Sequence, residues 1–524
     1  MQAVIGLDFG TQSARAILVD AETGETLCSH TVAYPHGVME GDLASVQDYE
    51  FALISLLEAV TPAEYRENIV GICVDATSFT LVPVGADGKA LATTAEFGDR
   101  YHAQIKLWKH HAAQAQAEEA LALARSMELP VLGRIGGSIS CEWALPKLMQ
   151  MRDEDRQVYD AVDLALDLCE FLTYRLTGLP VRSTGSMSFK GLWASDLGFP
   201  PDEYLNSLRP GIAAEYRHKM RGVVKCPGQK AGYLQPAWAT HLGLKDNVVV
   251  AAGTLDGHTA LVALGALEAG DATLVIGTSN VVAIQSKQLR EIPGVCGVAK
   301  DGFTEGLYGI DSGQSGTGDM LEWFVHNVLP EEIVRQAEQR NVSPHQVLIE
   351  QIERPWENTV IATDWWNGSR NVPCDLSLPG ALIGMSLTTQ AKDIYLALLQ
   401  SIACGTREIL EQCEAFGVSV EHLLVTGGIA MKNPLLMQEY ANLLHRRIYV
   451  GQAEEGPALG AAILAAVAVG LYETPMEAYR HIGVRRFVCY IPNEQHREAY
   501  EDLYRRNRML RQIVSTWKNE ANCF

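Results

Sequence analysis

The sequence predicts an α/β protein built from two related domains that meet at a cleft. Three observations carry this. The chain has 524 residues, more than one core accommodates, because single cores stop growing at roughly 250–300 residues. A strand–glycine turn–strand unit occurs at residues 4–20 and again at 272–284, so the two halves open with the same device. Continuous apolar runs, VGICVDAT (70–77) and NVVVAAG (247–253), read as doubly buried strands of a central sheet.

The elements follow in order. VIGLDFGTQSAR (4–15), AILVD (16–20) and TLCSHTVAY (26–34) are broken by turns at Gly10–Ser13 and Glu22–Gly24, an antiparallel meander. A helix is predicted from Val46 to Val60, then the buried strand 70–77, which ends in Asp. The middle is more helical. Residues 112–128 are rich in Ala, Glu and Gln, and 142–178 read as two helices, the second stopped by Gly178-Leu-Pro180. After the buried strand at 247–253 and the second hairpin come a helix at 388–416, a strand at 422–428, and helices at 433–445 and 456–471. The predicted division is an N-terminal domain over 1–258, a C-terminal domain over 259–500 and a helical tail over 501–524. No Pro/Ser linker marks the junction near 253–262, as expected of domains in direct contact, and ligands commonly sit at such interfaces.

Composition narrows the partners. Hydrophobic residues make up 47%, which supports a large core and opposes disorder. The formal charge of -21 repels nucleic acid and anionic membranes. It also repels a nucleoside triphosphate, so a polyphosphate ligand would need a cation and local donors. The 11 cysteines are odd in number and lack metal-ligand spacing, which fits thiols in a reducing cytosol. The N-terminus shows no basic leader region. ALGAAILAAVAVGLY (458–472) has 15 residues, short of the about 20 that span a bilayer, and reads as a buried helix. A cytoplasmic protein without membrane or nucleic-acid partners is expected.

Several segments have the pattern of ligand-binding chemistry. In Asp8-Phe-Gly10-Thr11-Gln12-Ser13 a tight turn can aim successive backbone N–H groups at one point, which suits phosphate oxygens. Gly10 allows close approach, Thr11 and Ser13 add hydroxyls, and Asp8 at the strand end can hold Mg²⁺ or its water. An ordinary hairpin has the same look. Gly277-Thr278-Ser279 repeats the pattern in the other half, and the pair together suggests two clamps on one nucleotide. Asp256, in GTLDGH, stands at the tip of a buried strand, where a carboxylate can act as a general base or cap the next helix; His258 beside it reads as structural. Gly427-Gly428, followed by Asn433-Pro434, is a strand-to-helix turn on which a flat base can lie. The small residues of GPALGAA (456–462) read as close helix packing. No GxxxxGK[ST] and no strand-linked GxGxxG occurs, and Gly313-Gln-Ser315-Gly316 lacks hydrolase-elbow spacing.

In this order the segments resemble the FGGY carbohydrate kinases, over essentially the whole chain. The most specific pieces resemble the ribulokinase branch: IGLDFGTQSARA, YPHGVM (34–39), IKLWKHHAA (105–113), IGGSISCEW (135–143), GLWASDLG (191–198), GQSGTGD (313–319), DWWNGSR (364–370) and GGIAMKNP. The resemblance implies two actin-like, ribonuclease H-related domains with a nucleotide cleft between them, and the sugar held mainly by the N-terminal one. ATP with Mg²⁺ is then the phosphoryl donor and a small sugar the acceptor, ribulose giving ribulose 5-phosphate. By position, Asp256 is the base toward the acceptor hydroxyl, and Lys190 in FKGLW binds the sugar. Gly10 to Ser13 and Gly277 to Ser279 are the phosphate turns, and Gly427, Gly428 and Asn433 are the adenosine region. Two departures stand at positions expected to face the sugar. Asp311 replaces a Glu before GQS, and Gly98 replaces an Ala after Glu96-Phe97. They leave xylulose, ribitol, glycerol or another epimer as alternative acceptors. An actin-like ATPase without a sugar is the rival of a different class. A homodimer is an assembly common among such relatives.

Overall fold

The computed structural model describes residues 1–453 and 455–521; residues 522–524 of the expected tail lie outside the described residues. The meander forms as read. Strands β1 (Ala3–Phe9), β2 (Ser13–Asp20) and β3 (Thr26–Ala33) pair antiparallel. Helix α1 (Val46–Ala59) leads to β4 (Ile69–Ala76), which runs parallel to β1 with Asp8 opposite Asp75. Every residue of β1 is buried, as a doubly covered strand requires.

Residues 142–178 differ from the expected pair of helices. Helices at Ala144–Glu154 and Arg156–Ala161 are followed by a strand, Leu164–Asp167, before helix α2 (Leu168–Thr177). The four-residue LALD is too short to stand out from flanking helical pattern, and it gains strand pairing only from Leu81–Val84, distant in sequence. The predicted stop at Gly178 does form, with φ +73°. Asp167 caps α2 in a reciprocal box with Glu170. A short helix α3 (Thr184–Lys190) then precedes β5 (Lys230–Tyr233) and β6 (Val249–Ala251), which complete a six-stranded sheet in the order β5-β6-β4-β1-β2-β3.

Helix α4 (Asp256–Leu264) leaves this sheet for the second half. There β7 (Asp271–Ile276) and β8 (Asn280–Ser286) make the second hairpin. Strands β9 (Gly297–Lys300) and β10 (Tyr308–Gln314) extend it. Helix α5 (Ala391–Ala415) crosses to β11 (His422–Thr426). Helix α6 (Pro434–Leu444), β12 (Ile448–Gly451), α7 (Gly456–Val469) and β13 (Phe487–Tyr490) follow. The seven-stranded sheet runs β9-β10-β8-β7-β11-β12-β13. A five-residue helix, Gly428–Lys432, fills the turn before α6. Helix α8 (Arg497–Ala521) starts before residue 501 and buries Tyr500, Leu503, Leu510 and Val514 in the core of the second half.

The two sheets are joined through α4 and α7, which pack on each other, α7 also covering β1 and β4 and α4 covering β7 and β8. Small residues make this layer thin. A Cβ on Gly6 would lie 1.9 Å from the Ala458 carbonyl oxygen, and one on Gly460 the same 1.9 Å from that of Thr259. The small-residue start of α7 is therefore a packing surface, and the α7 region is a buried helix as read. Among the described residues no helix is long and apolar enough to cross a membrane.

Candidate functional site

Three chain segments end at one edge of the parallel part of the first sheet. β1 ends at Asp8-Phe9, β4 at Asp75-Ala76, and the segment after β6 passes Ala76, whose N–H donates to the Thr254 carbonyl. Gly253 is required here, since a Cβ would come within 1.7 Å of the Val74 carbonyl oxygen. Asp256 follows as the first residue of α4; Leu255 precedes it as the cap, and the Asp256 Oδ1 accepts from its neighbour, Gly257 N–H, at 2.7 Å. Asp8, Asp75 and Asp256 are thus gathered by sheet register and one tight backbone approach.

Their environment is short of positive charge. Asp8 and Asp75 are 5% and 0% exposed, and Arg15 Nε stands 3.4 Å from Asp8 Oδ2. Burial lifts the Asp8 carboxyl above its ordinary range, with Arg15 and then Asp75 pulling it partly back. Burial, with the charges of Asp8 and Asp256, drives Asp75 well above its ordinary value. Burial and then Asp8 push Asp256 up to about 7. A part-buried carboxyl poised near neutrality at a strand-to-helix junction is suited to taking a proton from a bound hydroxyl.

Each glycine turn is closed by its own backbone bond. Gly10 N–H donates to Ser13 O at 3.0 Å, and the Gln12 carbonyl accepts from Tyr34 N–H. The Thr11 hydroxyl accepts from the Trp108 indole N–H at 3.2 Å. In the second turn Gly277 N–H donates to Ser279 O at 2.9 Å, and Thr317 N–H donates to Thr278 O at 3.0 Å. Gly427, at φ +109°, would place a Cβ 2.2 Å from the Ile276 carbonyl oxygen, so this turn is built against the second hairpin. A Cβ on Gly428 would meet nothing within 4 Å, which leaves an open backbone surface. The Asn433 Oδ1 accepts from Leu436 N–H at 2.9 Å and caps α6.

A cluster of polar side chains forms around Asp311. Lys190, at the end of α3, is 8% exposed, and its Nζ lies 6.0 Å from the Trp143 ring centre. Phe189 fixes α3, stacked at 5.4 Å on Phe303 and edge-on at 5.1 Å to His258. His258, two residues beyond Asp256, brings Nε2 within 3.7 Å of Asp311 Oδ1. Burial opposes ionisation of Asp311, but His258, Lys190 and Arg370 hold its carboxyl below the ordinary range. Gly98 is not drawn into this group. Its N–H donates to Thr94 O at 2.9 Å, and a Cβ would stand 2.9 Å from that same oxygen. Glycine at 98 therefore answers to its own turn.

The sequence reading passed over other residues here. Glu142 is 6% exposed and accepts from Arg370 Nη2 at 2.7 Å, with His111 Nε2 at 3.1 Å. Burial works against the Glu142 charge, yet Arg370 and His111 take it down to about 2. These residues lie in IKLWKHHAA, IGGSISCEW and DWWNGSR, but only tertiary packing unites the three motifs. Asp75 had a readable signal, a second apolar strand ending in Asp. A further depression between α5 and α8, lined by Arg407, Glu408, Glu501, Tyr504 and Arg511, holds charges paired with one another.

Among the described residues no three Asp, Glu, His or Cys side chains are grouped to hold a metal unaided. The surplus of carboxyls around Asp8 nonetheless suits a hard cation that takes one or two carboxylates and completes its shell with water and phosphate oxygens.

Comparisons with known proteins agree with this arrangement. Residues 3–263 match the N-terminal domain, and 272–469 the C-terminal domain, of the FGGY family of carbohydrate kinases. A ribulokinase of Anoxybacillus flavithermus is 35% identical over 539 aligned positions, covering 99% of this chain and 95% of that protein. Among solved structures, a gluconate kinase from Lactobacillus acidophilus superposes with TM-score 0.82 at 17% identity, covering 98% of each chain. A xylulose kinase from the same organism gives 0.80 at 17%, covering 98% of this chain and 99% of that one. Both share the two-domain fold. With the family matched across both halves, the chain belongs to the FGGY family of carbohydrate kinases.

Proposed function

We propose that this protein transfers the γ-phosphate of ATP to the terminal hydroxyl of a ketopentose, with ribulose as the first acceptor to test. The observation that carries the reading is Asp256, a part-buried carboxyl raised to about 7 by desolvation and by the nearby Asp8. Asp256 orients the acceptor hydroxyl and takes its proton as the new O–P bond forms and the bond to the β-phosphate oxygen breaks; ADP leaves. Phosphoryl transfer asks the protein mainly for position and charge neutralisation. Backbone N–H groups of Gly10–Ser13 and Gly277–Ser279 cradle the phosphates, and the open surface at Gly427-Gly428 receives the adenine. Lys190 and Asp311 hold sugar hydroxyls. Mg²⁺, held through Asp8 and the phosphates, supplies charge neutralisation when bound. The name of the ribulokinase relative and its full-length identity support the choice of acceptor class.

The test is ADP release by purified protein with Mg·ATP against ketopentoses, their epimers and polyols, with a no-sugar control. Strong stimulation by ribulose is expected. Stimulation by a polyol or xylulose instead moves the acceptor, and sugar-independent hydrolysis overturns the kinase reading.

A further inference from the structure

Arg370 lies in the second half of the chain, yet it reaches the first. Its Nη2 donates to Glu142 Oε1 at 2.7 Å, and His111 holds that same oxygen at 3.1 Å. The guanidinium carbon stands 5.0 Å from the centre of the Trp108 ring. Trp108 in turn donates to Thr11 of the first glycine turn. The side chain is 19% exposed, and its charge acts on Asp311 as that of Lys190 does. Arg370 is therefore placed between the polar pocket and the phosphate side, fixed by a residue of the opposite domain. Its Nε is buried without a hydrogen-bond partner, and so are Asn371 Oδ1 and Ser315 Oγ beside it. A buried donor left unpaired is costly. Glu142 uses one of the five guanidinium N–H groups, so spare donors remain on Arg370 beside unpaired Asn371 Oδ1 and Ser315 Oγ.

We infer that Arg370 is a specificity-determining residue that donates to an oxygen of the acceptor sugar, with Glu142 and His111 as the positioning residues that aim it. The inference rests on the proposed function and adds to Asp311 a further sugar contact from the second domain. Sugar binding then draws on groups from both halves, so the acceptor itself favours the closed arrangement. A planar guanidinium pinned at one edge has little freedom, and a site built to hydrogen-bond a hydroxyl rejects an analogue that lacks it.

The test compares wild type with Arg370→Met, Arg370→Lys and Glu142→Gln, measuring KM for sugar, KM for ATP, kcat and melting temperature. It uses the ketopentose that wild type turns over best and the set of its monodeoxy analogues. Arg370→Met is expected to raise the sugar KM about 10- to 100-fold, the range for a lost buried hydrogen bond to charge, with the ATP KM unchanged. One deoxy analogue should be poor for wild type and as good as the parent sugar for Arg370→Met. Arg370→Lys, which keeps the charge without the fork, should fall between, and Glu142→Gln should show a smaller rise of the same kind. If Arg370→Met does not fold, Arg370→Lys and Glu142→Gln carry the same comparison. An unchanged sugar KM, undiminished discrimination against every deoxy analogue, or sugar and ATP KM rising together with a falling melting temperature would overturn the inference. A wild type that phosphorylates no acceptor is read in its own arm, and both readings then fall.

Discussion

Asp256 is the residue on which the chemistry turns, and its burial sets two expectations. Folding raises its carboxyl from 3.8 to about 7, so the folded state binds this proton more tightly than the unfolded chain. That contribution to stability is present below pH 4 and is lost as pH rises through about 7, at a cost on the order of a few kcal/mol. Asp256→Asn keeps an oxygen for the Gly257 N–H and removes the repulsion with Asp8. Its melting temperature should exceed that of wild type at pH 8 and converge with it toward pH 4 in thermal scans without ligand. The same variant should lose turnover by about 10²- to 10⁴-fold, the worth of a positioned base, while sugar still binds by calorimetry. In wild type, kcat/KM measured with both substrates dilute should fall as pH drops below about 7. A flat profile from pH 5 to 9 would remove Asp256 as the base. Asp311, held charged beside His258 and Lys190, should be intolerant of neutralisation. Asp311→Asn is expected to raise the sugar KM by about tenfold or more, read in steady-state assays with the ATP KM as control.

At the scale of elements, the site depends on backbones approaching where only glycine fits. Gly6 and Gly460 bring α7 against β1 and α4. Gly460→Val should disturb this layer by about 3 kcal/mol or more, as overpacking does at its upper end, seen as a lower melting temperature and less soluble protein. Much of this was legible. The hairpins at 4–20 and 272–284, the buried strands ending in Asp, and the glycine stop at 178 are local patterns, and local patterns are what sequence periodicity records. Lys190 and Asp311 were reached through family resemblance, and they do meet across His258. The Leu164–Asp167 strand was hidden because its pairing partner is about eighty residues away. Gly98 carries a constraint its motif did not reveal, the Thr94 carbonyl of its own turn. Glu142, His111 and Arg370 were invisible as a group because two lie in the first half and one in the second, and only the folded chain adds them together.

For the molecule as a whole, the two sheets and their shared helical layer carry one glycine turn in each half, and the proposed function sets the phosphates between them. The family resemblance implied that the sugar is held mainly by the N-terminal domain. Under the proposed roles, Asp311 and Arg370 bring the second half into sugar binding, so acceptor and nucleotide should assist one another in closing the site. Closure that excludes water protects ATP from hydrolysis. The central claim is that the γ-phosphate goes to a sugar and not to water. Its most direct test is the ratio of sugar phosphate formed to ADP released, followed by phosphorus NMR with Mg·ATP and ribulose. A ratio near one, with negligible ADP in the absence of sugar and none above background in Asp256→Asn, is the predicted result. ADP accompanied by inorganic phosphate, at the same rate with or without any ketopentose, would contradict it.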